Sequence, residues 1–265
     1  MILNPFDLTG KGVILTGGGG HLGAVTASRI SEVGGTVAIV GRDVSKLEIV
    51  REKIFNTQNK EIMFVPGDIS EPNVIEAALE KVYDRCGYVY GLVNNAGSNH
   101  PVGFLEYSKA NVMATTLNLI NTMMVTKQVS DFMVATNEKK EGSIVNIASM
   151  YGMISPNPDL YDANPEWHSS AAYGASKAGI IQFSKYAAVH LALQNIRVNS
   201  LSPGPFPNEE TQESKDFILS LNKKIPLNRI GDPAEFANSV IFLLSKGSSY
   251  ITGANLLVDG GWNAW

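Results

Sequence analysis

The sequence predicts an α/β fold in which a parallel β-sheet lies between two layers of helices. Short apolar runs alternate with longer amphipathic stretches along most of the chain, which is the pattern of buried parallel strands joined by crossover helices. The 265 residues contain no low-complexity linker and no solenoid-type repeat. One large domain over residues 1–265 therefore accounts for the chain.

Seven short runs rich in Val, Ile or Leu are the candidate strands. They cover residues 13–16, 36–40, 62–65, 91–93, 143–147, 197–201 and 255–258. The candidate helices between them cover residues 22–33, 44–56, 71–86, 108–135, 171–194 and 233–244. The last helix follows Asp232 and opens on Pro233, which is an N-cap followed by a proline in the first turn.

Two segments interrupt this alternation. Residues 150–170 contain three prolines, and residues 203–224 follow the sixth candidate strand. Open parallel sheets bind ligands outside the carboxyl ends of their strands. Both segments are therefore predicted to be substrate loops.

The composition excludes several kinds of function. A net charge of −4 gives no electrostatic footprint for nucleic acid or an anionic membrane. The single cysteine, Cys86, excludes a disulfide framework and a multi-cysteine metal site, and no metal site is predicted. Since no apolar run has the length of a membrane span and the N-terminus lacks the features of a secretory signal, we expect a cytoplasmic protein. Redox chemistry would then need a bound cofactor.

A glycine-rich turn between the first strand and the first helix is the strongest binding motif. It runs from Thr16-Gly17 through Gly20-His21-Leu22-Gly23. Glycines let the backbone approach a pyrophosphate, and the helix N-terminus attracts its charge. The alternative is an ordinary flexible turn, but the strand before it and the helix after it favour a dinucleotide site.

The end of the second strand predicts the choice of cofactor. An acidic side chain there binds the ribose 2′-hydroxyl of NAD, whereas an arginine accepts the 2′-phosphate of NADP. This chain has Gly41-Arg42-Asp43, which favours NADP(H) over NAD(H). The alternative is that Arg42 lies on the solvated surface and Asp43 caps the next helix.

The candidate catalytic residues follow three other strands. They are found in Asn94-Asn95-Ala96-Gly97, at Ser149, and in Tyr173-Gly174-Ala175-Ser176-Lys177. Tyr173 and Lys177 share a helix face, so a nearby ammonium is expected to lower the pKa of the phenol and make it a general acid and base. Ser149 could hydrogen-bond the carbonyl oxygen beside Tyr173.

Together these motifs resemble the short-chain dehydrogenase/reductase family over nearly the whole chain. The resemblance also includes Asp68, Asn118, the stretch from Asn199 to Gly204, Thr252-Gly253, and the ending Val258-Asp259-Gly260-Gly261-Trp262. It implies one doubly wound Rossmann-type domain with a seven-stranded parallel sheet and helices on both faces. It also implies nicotinamide-dependent oxidation of an alcohol or reduction of a ketone.

The resemblance assigns roles to individual residues. Tyr173 would be the proton donor, Lys177 a ligand of the nicotinamide ribose, Ser149 the residue that positions the carbonyl, and Asn118 a residue that orders a relay water. Asp68 would contact the adenine. The predicted cofactor-binding residues are Thr16, Gly17, Gly20, His21, Leu22, Gly23, Arg42, Asp68, Ile69, Asn95, Ala96, Gly97, Tyr173, Lys177, Pro203, Gly204 and Phe206.

Some positions depart from the family pattern. His21 stands where a glycine is usual, so its side chain either reaches a phosphate or is satisfied or solvent-facing. The spacing Gly17-x-x-Gly20-x-x-Gly23 is also typical of sugar-nucleotide epimerases and dehydratases of the same superfamily. Asn208 occupies a place where a threonine commonly contacts the carboxamide.

An insertion is the largest departure. Tyr173 lies 24 positions after Ser149, which is more than the family's usual spacing. The polar and aromatic residues of the insertion could grip a hydroxylated substrate, or they could form a subunit contact or a surface loop. Residues 205–224 resemble a mobile substrate lid in which Phe206 and Phe217 are the apolar contacts.

The sequence therefore favours an NADP(H)-linked carbonyl reductase or alcohol dehydrogenase for a small polar or sugar-like substrate. The alternatives are an epimerase- or dehydratase-like enzyme, a 3-oxoacyl thioester reductase, and a non-catalytic NADP-binding regulatory protein. The resemblance also implies a homo-oligomer, either a dimer or a tetramer, that pairs through the helices at 108–135 and 171–194. Trp262 and Trp265 would make subunit contacts or fill the subunit's own core.

Overall fold

The computed structural model describes residues 4–136, 141–161 and 167–265. Seven parallel strands form one sheet in the order β3-β2-β1-β4-β5-β6-β7. The strands are β1 (Gly12–Thr16), β2 (Thr36–Gly41), β3 (Met63–Pro66), β4 (Gly91–Asn94), β5 (Gly142–Ile147), β6 (Ile196–Pro203) and β7 (Asn255–Val258). This arrangement confirms the predicted fold class.

The helices are α1 (His21–Glu32), α2 (Val44–Gln58), α3 (Pro72–Cys86), α4 (Lys109–Thr136), α5 (Ala171–Leu191), α6 (Glu209–Gln212), α7 (Lys215–Lys224) and α8 (Pro233–Leu244). They cover both faces of the sheet. Side chains of α1, α2 and α8 pack against one face in a cluster that includes Leu15, Ile39 and Phe236. Side chains of α3, α4 and α5 pack against the other face, around Ile14 and Ile144.

The direction of strand addition reverses at β1. Ile14 of β1 pairs with Ala38 of β2 on one side and with Leu92 of β4 on the other. The connections from β1 and from β4 therefore run towards opposite edges of the sheet. They leave a crevice between them at the carboxyl end of β1. The glycine-rich turn lies at this crevice.

The prediction for residues 203–224 was incomplete. β6 extends to Pro203, and the segment then forms α6 and α7. The side chain of Asn208 accepts a hydrogen bond from the amide of Thr211 and so caps α6, while α7 buries Phe217 and Leu221. The sequence marks these two short helices only by the cap residue Asn208 and by the buried pair Phe217 and Leu221. Within a long polar segment these few features were not recognised as helices.

The residue 150–170 loop is only partly described, and the predicted loop residues 162–166 lie outside the described part of the chain. The rest contains two short 3₁₀ turns, Met150–Gly152 and Pro158–Leu160. Across the described ranges, no helix is both long and apolar enough to cross a membrane.

Candidate active site

The glycine-rich turn brings two segments of backbone into contact. Gly17 has a φ of +69°, which favours glycine, and a Cβ on Gly23 would lie 2.1 Å from the carbonyl oxygen of Gly17. Gly20 is the N-cap of α1 and has no side chain with which to cap it. The first amides of α1 are therefore left for a ligand, together with the positive end of the helix dipole.

Thr16 holds this turn against the loop that follows β4. Its buried hydroxyl accepts hydrogen bonds from the amides of Asn95 (3.0 Å) and Ala96 (3.1 Å). The side-chain amide of Asn95 donates in return to the carbonyl oxygens of Thr16 and Gly17, at 3.1 and 3.2 Å. Thr16 therefore supports the site by fixing the glycine-rich turn against the loop after β4.

A cleft of about 720 Å³ opens beside this turn. The predicted residues that line it are Gly17, Gly20, His21, Leu22, Gly23, Arg42, Asp68, Ile69, Asn95, Ala96, Gly97 and Asn118. The sequence reasoning missed Lys46, Ser70, Ser98, His100, Leu117 and Asn121, which also line it. Ser98 and His100 follow directly after the Asn94–Gly97 motif, a position that could have indicated them.

His21 has an unusual environment at the floor of this cleft. Its Nε2 atom is buried and has no hydrogen-bond partner among the residues that the structure describes. The imidazole is therefore neither satisfied by the described protein nor fully turned to solvent. Such an atom fits a ligand oxygen in the cleft.

The far end of the cleft carries charged side chains. Arg42 is 80% exposed, and its Nη1 lies 3.9 Å from Oδ2 of Asp68. Hydrogen bonds from the Ser70 amide and hydroxyl lower the pKa of Asp68, and Arg42 lowers it further. Asp43 caps α2 by accepting from the amide of Lys46, as the alternative interpretation of Asp43 expected.

Ser149, Tyr173 and Lys177 meet behind the cleft. Ser149 follows β5. Its hydroxyl accepts from the amide of Tyr151 at 3.1 Å and lies close enough to Tyr173 to lower the pKa of that phenol. Lys177 is 4% exposed; its Nζ donates to the carbonyl oxygen of Ile147 at 2.8 Å and lies 5.5 Å from the centre of the Tyr173 ring. The structure thus brings the three predicted side chains together.

Burial controls the protonation of two of these groups. It raises the pKa of Tyr173, and the hydrogen bond with Ser149 only partly opposes it. Burial lowers the pKa of Lys177 to about 8. The expected lowering of the Tyr173 pKa by a nearby ammonium was wrong for this state, because desolvation of the phenolate dominates.

The amide side chain of Asn118 makes two hydrogen bonds to the backbone of Ser98. Its Oδ1 accepts from the Ser98 amide at 2.9 Å, and its Nδ2 donates to the Ser98 carbonyl oxygen at 2.6 Å. A Cβ on Gly97 would lie 3.5 Å from Oδ1 of Asn118 and 3.6 Å from Nζ of Lys177. Gly97 therefore lies between the cleft, which it lines, and the catalytic side chain of Lys177.

Four buried polar side chains link the elements under this site. Nδ2 of Asn94 donates to Thr126 (2.9 Å) and Asn146 (2.8 Å), and Nδ2 of Asn146 donates to Ser184 (2.9 Å). They belong to β4, α4, β5 and α5. Such a satisfied network fixes these elements relative to one another.

The residues predicted after β6 lie to one side. A Cβ on Gly204 would lie 2.6 Å from the Cα of Asp259, so Gly204 permits a close backbone approach. Pro203 ends β6 beside Val258. The ring of Phe206 packs against Phe236, with 5.9 Å between ring centres. Phe206 therefore fills the core at this point, and its apolar character alone could not predict which surface it would meet.

An aromatic cluster packs against Tyr173 of the catalytic group. Its buried members are Met150, Tyr151, Tyr161, Phe217, Leu221, Ile225 and Trp262, and Trp167 and Tyr173 pack against them. Trp262 therefore fills the subunit's own core, while Trp265 is 81% exposed. The cluster joins the 150–170 loop to α7.

Comparison with known proteins identifies the family. The family profile described as enoyl-(acyl carrier protein) reductase matches residues 20–263. This chain belongs to the short-chain dehydrogenase/reductase family. It is 34% identical to carbonyl reductase family member 4 of Xenopus laevis, over 92% of this chain and 94% of that one.

Two further relatives of this dehydrogenase/reductase have names that refer to gluconate. The 5-keto-D-gluconate 5-reductase of Escherichia coli K12 is 30% identical over 97% of this chain and 96% of that one. A gluconate 5-dehydrogenase from Burkholderia cenocepacia, solved with NADP and tartrate, has a TM-score of 0.84 and 25% identity, with both chains covered completely.

A short-chain dehydrogenase/reductase of this kind binds a nicotinamide cofactor and is an oxidoreductase of ketones and alcohols. The residues present fit such a cofactor. The turn has no room for a side chain at Gly23, the α1 amides face the cleft, and the buried Nε2 of His21 lacks a described partner.

Proposed function

We propose that this enzyme transfers hydride between NADP(H) and a small polar or sugar-like ketone or secondary alcohol, with Tyr173 as the general acid and base. The observation that carries the proposal is the meeting of Ser149, Tyr173 and buried Lys177 behind the glycine-rich cleft. Most of the other predicted site residues line the cleft, and Thr16 holds its glycine-rich turn.

In the direction of ketone reduction, a nicotinamide cofactor held in the cleft would supply the hydride. Burial keeps the Tyr173 phenol protonated at neutral pH, so it can give its proton to the carbonyl oxygen as the carbon accepts hydride. Ser149 donates a hydrogen bond to the same oxygen. The charge that remains on the Tyr173 oxygen is offset by the ammonium of Lys177.

A preference for NADP(H) is supported by the charges at the far end of the cleft. Gly41 offers no carboxylate, Asp43 is engaged as a helix cap, and Arg42 and Lys46 both line the cleft. The similar Burkholderia enzyme was solved with NADP. A guanidinium is well suited to a 2′-phosphate.

The NADP(H) preference is testable with Arg42→Ala. We expect kcat/KM for NADPH to fall about tenfold, because a charge-assisted hydrogen bond is lost, and kcat/KM for NADH to change little. Steady-state kinetics with each cofactor measures both values. A wild-type enzyme that strongly prefers NADH would contradict the assignment.

A polar substrate is supported by the hydroxyls of Ser149, Tyr151 and Tyr161 near Tyr173, and by the names of the gluconate-related enzymes. A 3-oxoacyl thioester reductase is the second candidate, because a 3-oxoacyl-(acyl-carrier-protein) reductase of Aquifex aeolicus is 32% identical over 96% of this chain and 98% of that one. A panel containing 5-keto-D-gluconate and a 3-oxoacyl thioester separates these two candidates.

The decisive variant for the reaction is Tyr173→Phe. We expect it to bind NADPH normally and to lose a factor of about 10² to 10⁴ in kcat, since only the transferable proton is removed. NADPH absorbance measures turnover, and fluorescence titration measures binding.

Full activity in Tyr173→Phe would overturn the mechanism. Failure of the wild-type enzyme to consume NADPH with any carbonyl compound would favour the regulatory alternative. Conversion of a sugar nucleotide without net use of NADPH would favour the epimerase alternative.

We also propose a homo-oligomer, a dimer or a tetramer, that pairs through α4 and α5. Support comes from the large apolar side chains that these helices leave exposed, among them Met113, Met124, Tyr186 and Val189. Such a patch is typical of a protein interface.

A further inference from the structure

Two phenols stand beside the catalytic group without a role in the reaction described so far. The hydroxyls of Tyr151 and Tyr161 hydrogen-bond to each other. Each side chain is only 7% exposed. Tyr161 belongs to the long insertion between Ser149 and Tyr173, so the pair is built partly from the segment in which this chain departs from its family.

The fold holds this pair against Tyr173. The turn containing Tyr151 follows Ser149 directly, and the carbonyl oxygen of Tyr151 lies 2.8 Å from the position of a Cβ on Gly174, the residue after Tyr173. Tyr173 itself packs against the aromatic cluster that contains both phenols. The pair is therefore a neighbour of the proposed proton donor.

The insertion and the lid hold Tyr161 from two sides. Its ring meets His168 edge to face, with 5.2 Å between ring centres, and Phe217 of α7 at 5.8 Å. The carbonyl oxygen of His168 accepts from Asn99 at 3.0 Å. Tyr161 thus packs against the insertion and α7, and the loop after β4 anchors the insertion through Asn99.

We propose that Tyr161, paired with Tyr151, determines specificity by hydrogen-bonding a substrate hydroxyl close to the reacting carbonyl. The inference rests on the proposed ketone and alcohol chemistry and adds the group that the site selects. A phenol both donates and accepts hydrogen bonds, so the pair can exchange its mutual bond for two bonds to one hydroxyl. Burial raises the pKa of both phenols, so both keep their protons.

The test compares Tyr161→Phe with wild type on two ketones that differ by one hydroxyl, 2-hydroxycyclohexanone and cyclohexanone, with NADPH. The phenylalanine ring keeps the contacts with His168 and Phe217. We expect kcat/KM for the hydroxyketone to fall about tenfold, chiefly through KM, and kcat/KM for cyclohexanone to stay within about twofold.

Tyr83→Phe is the matched control, because it removes a half-exposed phenol hydroxyl from α3 and leaves its ring against Phe132. This variant should match wild type on both ketones. Thermal melting of Tyr161→Phe shows whether it is folded. Equal loss on both ketones, or no loss on either, would overturn the inference.

Failure of the proposed function has a different result. If wild type reduces neither these two ketones nor 5-keto-D-gluconate, the proposed substrate class is wrong, and calorimetric titration of D-gluconate into the enzyme with NADP⁺ then decides the role of the pair. Binding weakened about tenfold in Tyr161→Phe would support it, and equal binding or none to wild type would overturn it. If Tyr173→Phe is inactive but Tyr161→Phe behaves as wild type, the reaction stands and the pair has no part in specificity.

Discussion

Lys177 is an ammonium placed where water cannot reach it. It is 4% exposed, its described hydrogen bond goes to the backbone of Ile147, and burial lowers its pKa to about 8. The ammonium form is therefore complete well below pH 8 and is lost as the pH rises through that value. Its proposed role opposite the Tyr173 oxygen needs the charge.

We expect kcat/KM for ketone reduction to decline as the pH rises through about 8, because this ratio reports ionisations of the free enzyme. A profile measured from pH 6 to pH 10 checks it. Lys177→Arg should be slower but lack this decline, since a guanidinium keeps its charge. A wild-type profile that stays level to pH 10 would contradict the assignment.

His21 offers a second prediction for single residues. If its buried Nε2 meets a cofactor phosphate, His21→Gly should raise the Kd for NADPH about tenfold, the effect of one hydrogen bond to a charged group. Fluorescence titration measures it, and Ser70→Ala at the far end of the cleft is a comparison in which we expect a smaller change. An unchanged Kd in His21→Gly would show that the ring only packs.

Site residues differ in how well the sequence predicted them. Gly17 and Gly23 were predictable because the turn requires a positive φ at Gly17 and leaves no room for a side chain at Gly23. Asn95 was predictable because its side-chain amide bonds to the backbone of the turn. Lys46 was missed because its contribution depends on the direction in which α2 leaves the cleft. Phe206 was predicted as a cofactor contact, and the structure shows its partly buried ring packed on Phe236. Burial next to a ligand and burial in the core have the same apolar signature in a sequence.

At the scale of single elements, the start of α8 shows how a local motif becomes structure. Asp232 and Glu235 form a complete capping box, and Arg229 donates two 2.7 Å hydrogen bonds to Glu235. The Asp232-Pro233 signal alone was enough to predict this helix start. The contribution of Arg229 comes from the preceding loop and could not be read from the helix pattern.

Glu235→Gln tests this cap. The hydrogen bonds from Arg229 and the Asp232 amide hold the pKa of Glu235 at about 2, so the carboxylate stabilises the fold above its unfolded pKa of about 4.3 and loses that effect as the pH falls towards 2. We expect the variant to lose about 1 kcal/mol of stability at pH 7. Urea unfolding at pH 7 and pH 3 measures it, and a loss that does not shrink at pH 3 would contradict this account.

The loops were the elements hardest to predict. Strand β7 has the predicted bounds, because its apolar residues 256–258 are followed at once by Asp259 and two glycines, whereas α7 was hidden in a predicted loop. Its buried side chains, Phe217 and Leu221, join a cluster in which Phe217 contacts Tyr161 and Trp167, and these partners are distant in sequence. Tertiary packing of this kind outweighs local propensity.

At the scale of the whole molecule, the exposed apolar side chains of α4 and α5 give a prediction about assembly. Val189→Lys, at a side chain 74% exposed, should dissociate the proposed oligomer because it places a charge in an apolar interface. Light scattering measures the mass. Ile49→Lys on α2, at a side chain 62% exposed, is the control that should keep the assembly. A monomeric wild type would contradict the proposal.

The fold of the whole chain was the most predictable feature, since seven apolar runs and the helices between them leave few ways to bury a parallel sheet. The relation of the insertion to α7 was not predictable. It depends on the contact of Trp167 with Phe217, at 4.7 Å between ring centres, and nothing in the spacing of these two residues indicates that they meet.

The hydrogen-bonded side chains of Asn94, Thr126, Asn146 and Ser184 bear on how this enzyme could acquire new substrates. Replacing one of them strands a buried donor or acceptor, whereas the aromatic cluster accepts other apolar side chains of similar volume. A library of random variants should therefore retain diversity in the cluster and almost none among these four positions. Successive rounds of selection can therefore change the substrate specificity through the cluster while the polar network under the catalytic residues stays the same.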